Sequence, residues 1–73
     1  MTQEERVLKY LEEFNSINAL QALRDCGVFR LSARIYNLRQ DGHDIETKRV
    51  NVTNRYGEQV SIAEYHLTKP IER

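Results

Sequence analysis

The first segment of the chain repeats its apolar residues with helical spacing, at Val7, Leu8, Tyr10, Leu11 and Phe14. This spacing is typical of a helix that turns one apolar face to a core. Residues 2–5 (Thr-Gln-Glu-Glu) fit a capping box, in which a threonine and a glutamate three residues later satisfy the free backbone amides of a helix start. With a turn pair at Asn15-Ser16, the pattern predicts a helix over residues 3–14.

A shorter second helix is predicted over residues 19–25. Asn18 is a suitable cap, Gln21 stands at the matching third position, and the residues between are good helix formers. Gly27 provides the backbone freedom that the end of a helix often needs. Ile17 precedes the cap, where it is either a hydrophobic staple or a one-residue strand.

A third helix is indicated by Leu31, Ile35 and Leu38, which recur at i, i+4 and i+7 before Gly42 ends the pattern. Its polar and small residues point away from this apolar stripe, at Arg30, Ala33, Tyr36, Asn37 and Gln40. Arg34 and Arg39 fall on the two flanks of the stripe.

The helical period disappears after His43. Residues 45–53 and 60–67 are rich in β-branched residues and alternate, and residues 54–59 contain Asn and Gly, so an antiparallel hairpin is expected. The apolar parity changes between Ile45 and Val50, which indicates either a bulge or a solvent-facing portion. The order of elements predicts an α+β winged helix-turn-helix fold: three helices followed by a two-stranded hairpin, the wing. One domain over residues 1–68 and a flexible tail over 69–73 are expected.

Such a fold predicts a DNA interface, because a helix with small and polar side chains at its start can enter the major groove. The expected contacts of this recognition helix are Arg30, Ser32, Ala33, Arg34, Tyr36, Asn37 and Gln40. The expected contacts to the DNA backbone and from the wing are Arg39, Lys48, Arg49, Asn54, Arg55 and Tyr56.

Each of these pieces alone has an ordinary structural explanation. Charged and amide residues on an exposed helix are usually a solvated surface, and Arg34 pairs equally well with a carboxylate such as Glu46. Cys26, the only cysteine, is expected to be a small buried residue, and it excludes both an internal disulfide and a cysteine-based zinc site. His43 and His66 lack the spacing of metal ligands, so neither a metal nor another cofactor is expected.

Composition narrows the function classes further. The 73 residues contain no Ser/His/Asp set, no phosphate-binding glycine loop and no convincing pair of carboxylates, so we expect neither an enzyme nor a small-molecule substrate. No apolar run approaches the roughly 18 residues that span a bilayer, and the first residues lack the order of a signal peptide. A cytoplasmic protein without membrane contact is therefore expected.

The formal net charge is zero, which counts against a simple electrostatic binder of nucleic acid. The charge is nevertheless uneven along the chain. Residues 1–14 hold four carboxylates and two cations, whereas residues 28–55 hold six cations and three carboxylates. This distribution favours one weakly basic face.

Residues 17–67 resemble a family of short helix-turn-helix domains of bacteriophages and prophages, whose pattern is EAL…G…RLSARI…LR..G..I.T. The matching residues are Gln21-Ala22-Leu23, Gly27, Arg30 to Ile35, Leu38-Arg39, Gly42, Ile45 and Thr47. Residues 54–58 and 65–67 are similar to the family's wing and closing strand. Two departures are Asn18-Ala19, where the family often has Thr-Pro, and Gln21, where it has glutamate.

The resemblance implies a winged helix-turn-helix fold and binding of double-stranded DNA as a regulator or accessory factor in a bacterial cell or a phage-infected host. The small footprint of one copy favours a homodimer. An alternative function remains open at this point, namely a protein-interaction module that docks on a host or phage protein through the same scaffold.

Overall fold

The structure, a computed structural model, describes residues 1–68. The predicted tail over 69–73 lies outside the described residues. The elements follow one another as α1 (Gln3–Phe14), β1 (Ser16–Asn18), α2 (Ala19–Gln21) with a π-helical continuation (Ala22–Cys26), α3 (Leu31–Gln40), β2 (Ile45–Thr53) and β3 (Gln59–Leu67). The predicted α+β class with three helical regions is confirmed.

Capping boxes begin the first two helices, as the sequence predicts. In α1, the Thr2 hydroxyl accepts from the Glu5 amide at 3.1 Å, and the Thr2 amide donates to the Glu5 carboxylate at 2.8 Å. In α2, Asn18 and Gln21 exchange the same two bonds at 2.9 Å each. The start of α3 differs, because its cap residue Arg30 makes no capping hydrogen bond with its side chain.

The second helix departs from the prediction in its pitch. Its last five residues form a π-helical turn in which the Gly27 amide donates to the carbonyl of Ala22, five residues back. Gly27 adopts a φ of +68°, a left-handed conformation that glycine enters without steric cost. Ala22 and Cys26 are both buried on the inner side of this segment. The Arg6 guanidinium donates to the Cys26 carbonyl at 2.8 Å and so connects α1 to the end of the turn.

The sheet has three strands, in the order β1-β3-β2, and not the two that the sequence predicts. The additional strand is centred on Ile17, which lies opposite Tyr65 of β3. Three residues are too few to show an alternating pattern, so the sequence alone offered only a staple or a one-residue strand. Ile17 is completely buried.

The hairpin pairs without a bulge, from Ile45 opposite Leu67 to Thr53 opposite Gln59. The change of parity therefore marks a solvent-facing portion of the strand, one of the two expected explanations. Ile45 lies on the face that packs on the helices, whereas Val50 and Val52 lie on the other face and are more exposed.

One cluster of buried residues holds the helices against the base of the sheet. Its members are Val7, Leu11, Ile17, Ala22, Cys26, Val28, Leu31, Ile35, Leu38 and Ile45. The apolar stripes predicted for the first and third helices are confirmed except at Phe14, whose inclusion is wrong. Phe14 is 58% exposed, since it ends α1 beyond the core and its ring packs on Tyr10 with centroids 4.6 Å apart.

Replacing Ile17 by alanine is expected to lower the free energy of unfolding by about 2–5 kcal/mol, because it leaves a cavity where β1 joins the core. Urea unfolding followed by circular dichroism measures the change. Leu20→Ala is the matched control: Leu20 is 65% exposed, so a change within about 0.5 kcal/mol is expected. Equal losses in the two variants would contradict the assigned core.

Candidate nucleic-acid interface

Among the grooves that border α3, two lie near opposite ends of the helix. The N-terminal groove, of about 820 Å³, runs between the starts of α2 and α3 and the hairpin. It is lined by Ala19, Leu20, Phe29, Arg30, Leu31, Ser32, Ala33, Val52, Ile62, Ala63 and Tyr65. The C-terminal groove, of about 560 Å³, runs between α1 and the second half of α3. It is lined by Thr2, Glu4, Glu5, Leu8, Asn37, Leu38, Gln40, Asp41 and His43.

The N-terminal groove contains three of the residues expected to contact DNA: Arg30, Ser32 and Ala33. None of the described residues that line it is acidic, and Arg30 makes no ion pair within residues 1–68. The first amides of α3 receive no side-chain cap, and the helix dipole adds partial positive charge at this end. This end of α3 is therefore electrostatically suited to an anion.

The C-terminal groove has the opposite character, because Glu4, Glu5 and Asp41 line it. Asn37 donates to the Glu4 carboxylate at 2.7 Å, and a guanidinium nitrogen of Arg34 lies 3.1 Å from the same oxygen. The hydrogen bond from Asn37, with smaller contributions from a backbone amide and from the charge of Arg34, lowers the pKa of Glu4 below its usual value. Glu4 is thus ionised at neutral pH and neutralises Arg34.

These contacts turn Arg34 and Asn37 towards α1. Asn37 points away from the apolar stripe, as predicted, but it is half-buried because it lies against Glu4 of α1. The carboxylate beside Arg34 is Glu4, and not the Glu46 that the sequence suggested. Gln40 is exposed but borders the same acidic groove. Tyr36 is 62% exposed.

Arg39 is held on the other flank of α3. Its guanidinium donates to the Ile45 carbonyl at 2.7 and 3.0 Å and to the Thr47 hydroxyl at 2.9 Å. These partners are neutral, so they fix the side chain against β2 without neutralising its charge. Arg39 therefore couples the position of α3 to the hairpin and remains a cation at the surface.

Lys48 and Arg49 are neighbours in sequence but lie on opposite faces of the sheet. Arg49 pairs with Ala63 and shares its face with Thr47, which binds Arg39 of α3. Lys48 pairs with Glu64 on the other face. Arg49 therefore lies on the face of β2 that carries Thr47, and Lys48 lies on the face that carries Val50 and Val52.

The turn of the hairpin is organised by Asn54. Its side-chain oxygen accepts from the amides of Tyr56 and Glu58 at 2.9 and 3.0 Å, and its side-chain nitrogen donates to the Glu58 carboxylate at 3.2 Å. Asn54, which the sequence predicts to contact DNA from the wing, therefore uses its side-chain hydrogen-bonding groups within the turn. Arg55 and Tyr56 project at the tip, where Tyr56 is 77% exposed.

Sequence reasoning missed three residues of these grooves. Glu4 appeared only as a surface residue of α1, and nothing in its local pattern indicated a contact with α3. Leu20 and Phe29 line the N-terminal groove and are both exposed.

Within residues 1–68, no helix is long and apolar enough to cross a membrane, and no group of three or more His, Cys, Asp or Glu side chains is placed to hold a metal ion.

Comparison with known proteins gives one match. No curated protein and no solved structure is significantly similar to the sequence. The family described as "Winged helix-turn-helix domain" matches residues 2–70, which is nearly the whole chain. Together with the three helices and the antiparallel sheet, this match shows that the chain belongs to the winged helix-turn-helix domain family.

Proposed function

We propose that the protein is a non-catalytic binder of duplex DNA, and a regulator or accessory factor of the phage and prophage type. The N-terminal half of α3 enters the major groove, and the hairpin serves as the wing. The single observation that carries this proposal, beyond the family, is the N-terminal groove: Arg30 stands at the uncapped start of α3, and no acidic residue lines the groove among those described.

The dimensions and side chains of α3 suit this role. Ten residues give a helix of about 15 Å, and the major groove is about 12 Å wide. Ser32 and Ala33 are small enough to let the helix backbone approach the bases, and Arg30 has the donor pair that recognises guanine. Tyr36 extends the same exposed side of the helix.

The contacts to phosphate come from cations that form no ion pair with a carboxylate within residues 1–68. Arg39 is held against β2, Arg49 lies on the same face of β2 as Thr47, and Arg55 lies at the tip of the hairpin. Arg34 is excluded from this set because Glu4 neutralises it. These three residues give three cations for the DNA backbone, whereas Arg30 is assigned to a base.

Binding to duplex DNA is expected to weaken steeply with salt. Neutralising three phosphates predicts a slope of about −2.7 in a plot of log affinity against log salt concentration. Fluorescence anisotropy with labelled genomic fragments, begun at low ionic strength, measures this slope. Absence of binding at low salt, or affinity that does not change with salt, would contradict the proposed function.

Reversal of charge at Arg49 is expected to reduce DNA affinity at least about tenfold, since it replaces a phosphate contact by a repulsion. The matched control is Lys48→Glu, which makes the same change in net charge one residue away, on the opposite face. It should reduce affinity much less. Equal losses would show that the hairpin does not present the Arg49 side to DNA.

Replacing Glu4 by glutamine is expected to raise DNA affinity, because it frees the charge of Arg34 and removes a carboxylate from the flank of α3. The salt slope should become steeper by about 0.9, the contribution of one further phosphate contact. Glu13→Gln changes the net charge equally on an exposed part of α1 and serves as the control. If both variants behave alike, net charge and not the release of Arg34 explains the effect.

A second candidate function is a protein-interaction module, which the exposed apolar residues Leu20 and Phe29 favour. In that case the N-terminal groove would bind an apolar segment of a partner protein. The double change Arg30→Glu and Arg49→Glu separates the two functions. It should abolish DNA binding if DNA is the ligand, and it should leave a partner held by apolar contacts in place.

A further inference from the structure

Phe29 is 83% exposed, the most of any large apolar side chain among the described residues. Its position is nevertheless fixed. Val28 on one side and Leu31 on the other are 1% and 4% exposed, and the Val28 amide donates to the Ala22 carbonyl at 3.0 Å. The backbone is thus anchored on both sides of Phe29, and the exposed ring is held outward by the fold.

The surroundings of Phe29 favour a ligand that is both anionic and locally apolar. The ring lies directly before Arg30, the cap residue of α3, and lines the N-terminal groove with Leu20, Ser32 and Ala33. No acidic side chain is found among the described residues of this lining. An apolar protein segment would match the aromatic ring but would leave the Arg30 charge and the free amides of α3 without a partner.

Duplex DNA combines the two properties. Its backbone is anionic, and the major groove displays one prominent apolar group, the 5-methyl of thymine, which apolar side chains contact. The residues at the start of a recognition helix are those that reach the base edges. Phe29 and Arg30 are adjacent at this point, so one can pack on a methyl group while the other binds a neighbouring base or phosphate.

We propose that Phe29 reads thymine in the DNA site by packing its ring on the 5-methyl group. This inference rests on the proposed function and deepens it. It assigns a preference for one base to Phe29, an apolar residue that is not among the residues expected to contact DNA. The recognised site should contain a thymine, at a fixed position, that other pyrimidines cannot replace.

The experiment begins with selection of duplexes from a random pool by the wild-type protein. The recovered sequence is then synthesised with each thymine in turn replaced by deoxyuridine, which lacks only the methyl group. Loss of one methyl contact is expected to weaken wild-type binding about fourfold at one position, from the transfer free energy of a methyl-sized group. Anisotropy titrations at constant salt measure each affinity.

The variants complete a double-mutant cycle. Phe29→Ala should bind the thymine duplex more weakly and should no longer distinguish it from the deoxyuridine duplex, whereas Phe29→Leu should keep part of the discrimination. Phe14→Ala, the same change at an exposed phenylalanine that does not line the groove, should discriminate like the wild type. Circular dichroism verifies that each variant is folded.

Three outcomes overturn the inference. The first is selection of sequences in which no thymine responds to loss of its methyl group, and the second is a Phe29→Ala variant that keeps the wild-type discrimination. The third is a wild-type dimer, seen by sedimentation without DNA, that Phe29→Ala dissociates, because this would assign the ring to self-association. In each case salt-dependent DNA binding can persist, so the proposed function survives. Absence of any DNA binding removes both.

Discussion

Burial of Leu31, Ile35 and Leu38 fixes the rotation of α3 about its own axis, and the functional surface depends on that rotation. With these three side chains in the core, Ser32, Ala33 and Tyr36 are directed outward. Arg39 then reaches β2 on one flank, and Arg34 reaches α1 on the other. A rotation of α3 would require one of the buried aliphatic side chains to enter solvent, which is the main reason that the helix presents a single surface.

The two flanks of α3 are not equivalent, although both carry arginine. On the β2 side the partners of Arg39 are a carbonyl and a hydroxyl, so the positive charge persists. On the α1 side the partner of Arg34 is an ionised carboxylate that also binds Asn37. Because the carboxylates at the start of α1 offset the positive charge on this side, the cationic surface is limited to the first half of α3 and the hairpin. Local arrangement, rather than net charge, explains how a chain with zero net charge can present a basic face.

The N-terminal groove combines an exposed phenylalanine with an arginine and an uncapped helix start. Exposed aromatic side chains add nothing to the core, and in this groove the ring is held outward by buried neighbours on both sides. Polar residues alone would bind the phosphate backbone of any DNA sequence equally well. In the proposed complex, an apolar side chain beside Arg30 adds a requirement for an apolar group on the DNA, and therefore a means of selecting the sequence that is bound.

The elements whose signals are local could be predicted from the order of the residues. Helical spacing and two capping boxes gave α1 and the start of α2, the Leu31/Ile35/Leu38 repeat gave α3, and alternation gave the hairpin, because these patterns depend on neighbours only a few residues away. The other features arise only when distant parts of the chain pack together. Ile17 pairs with Tyr65 of a distant strand, and Glu4 of α1 binds Arg34 and Asn37 of α3. Lys48 and Arg49 lie on opposite faces because the pairing of β2 with β3 has no bulge. Each of these features depends on contacts between residues that are far apart in the chain. No local pattern encodes which partner a strand or a charge will meet, since packing of the whole core makes that choice.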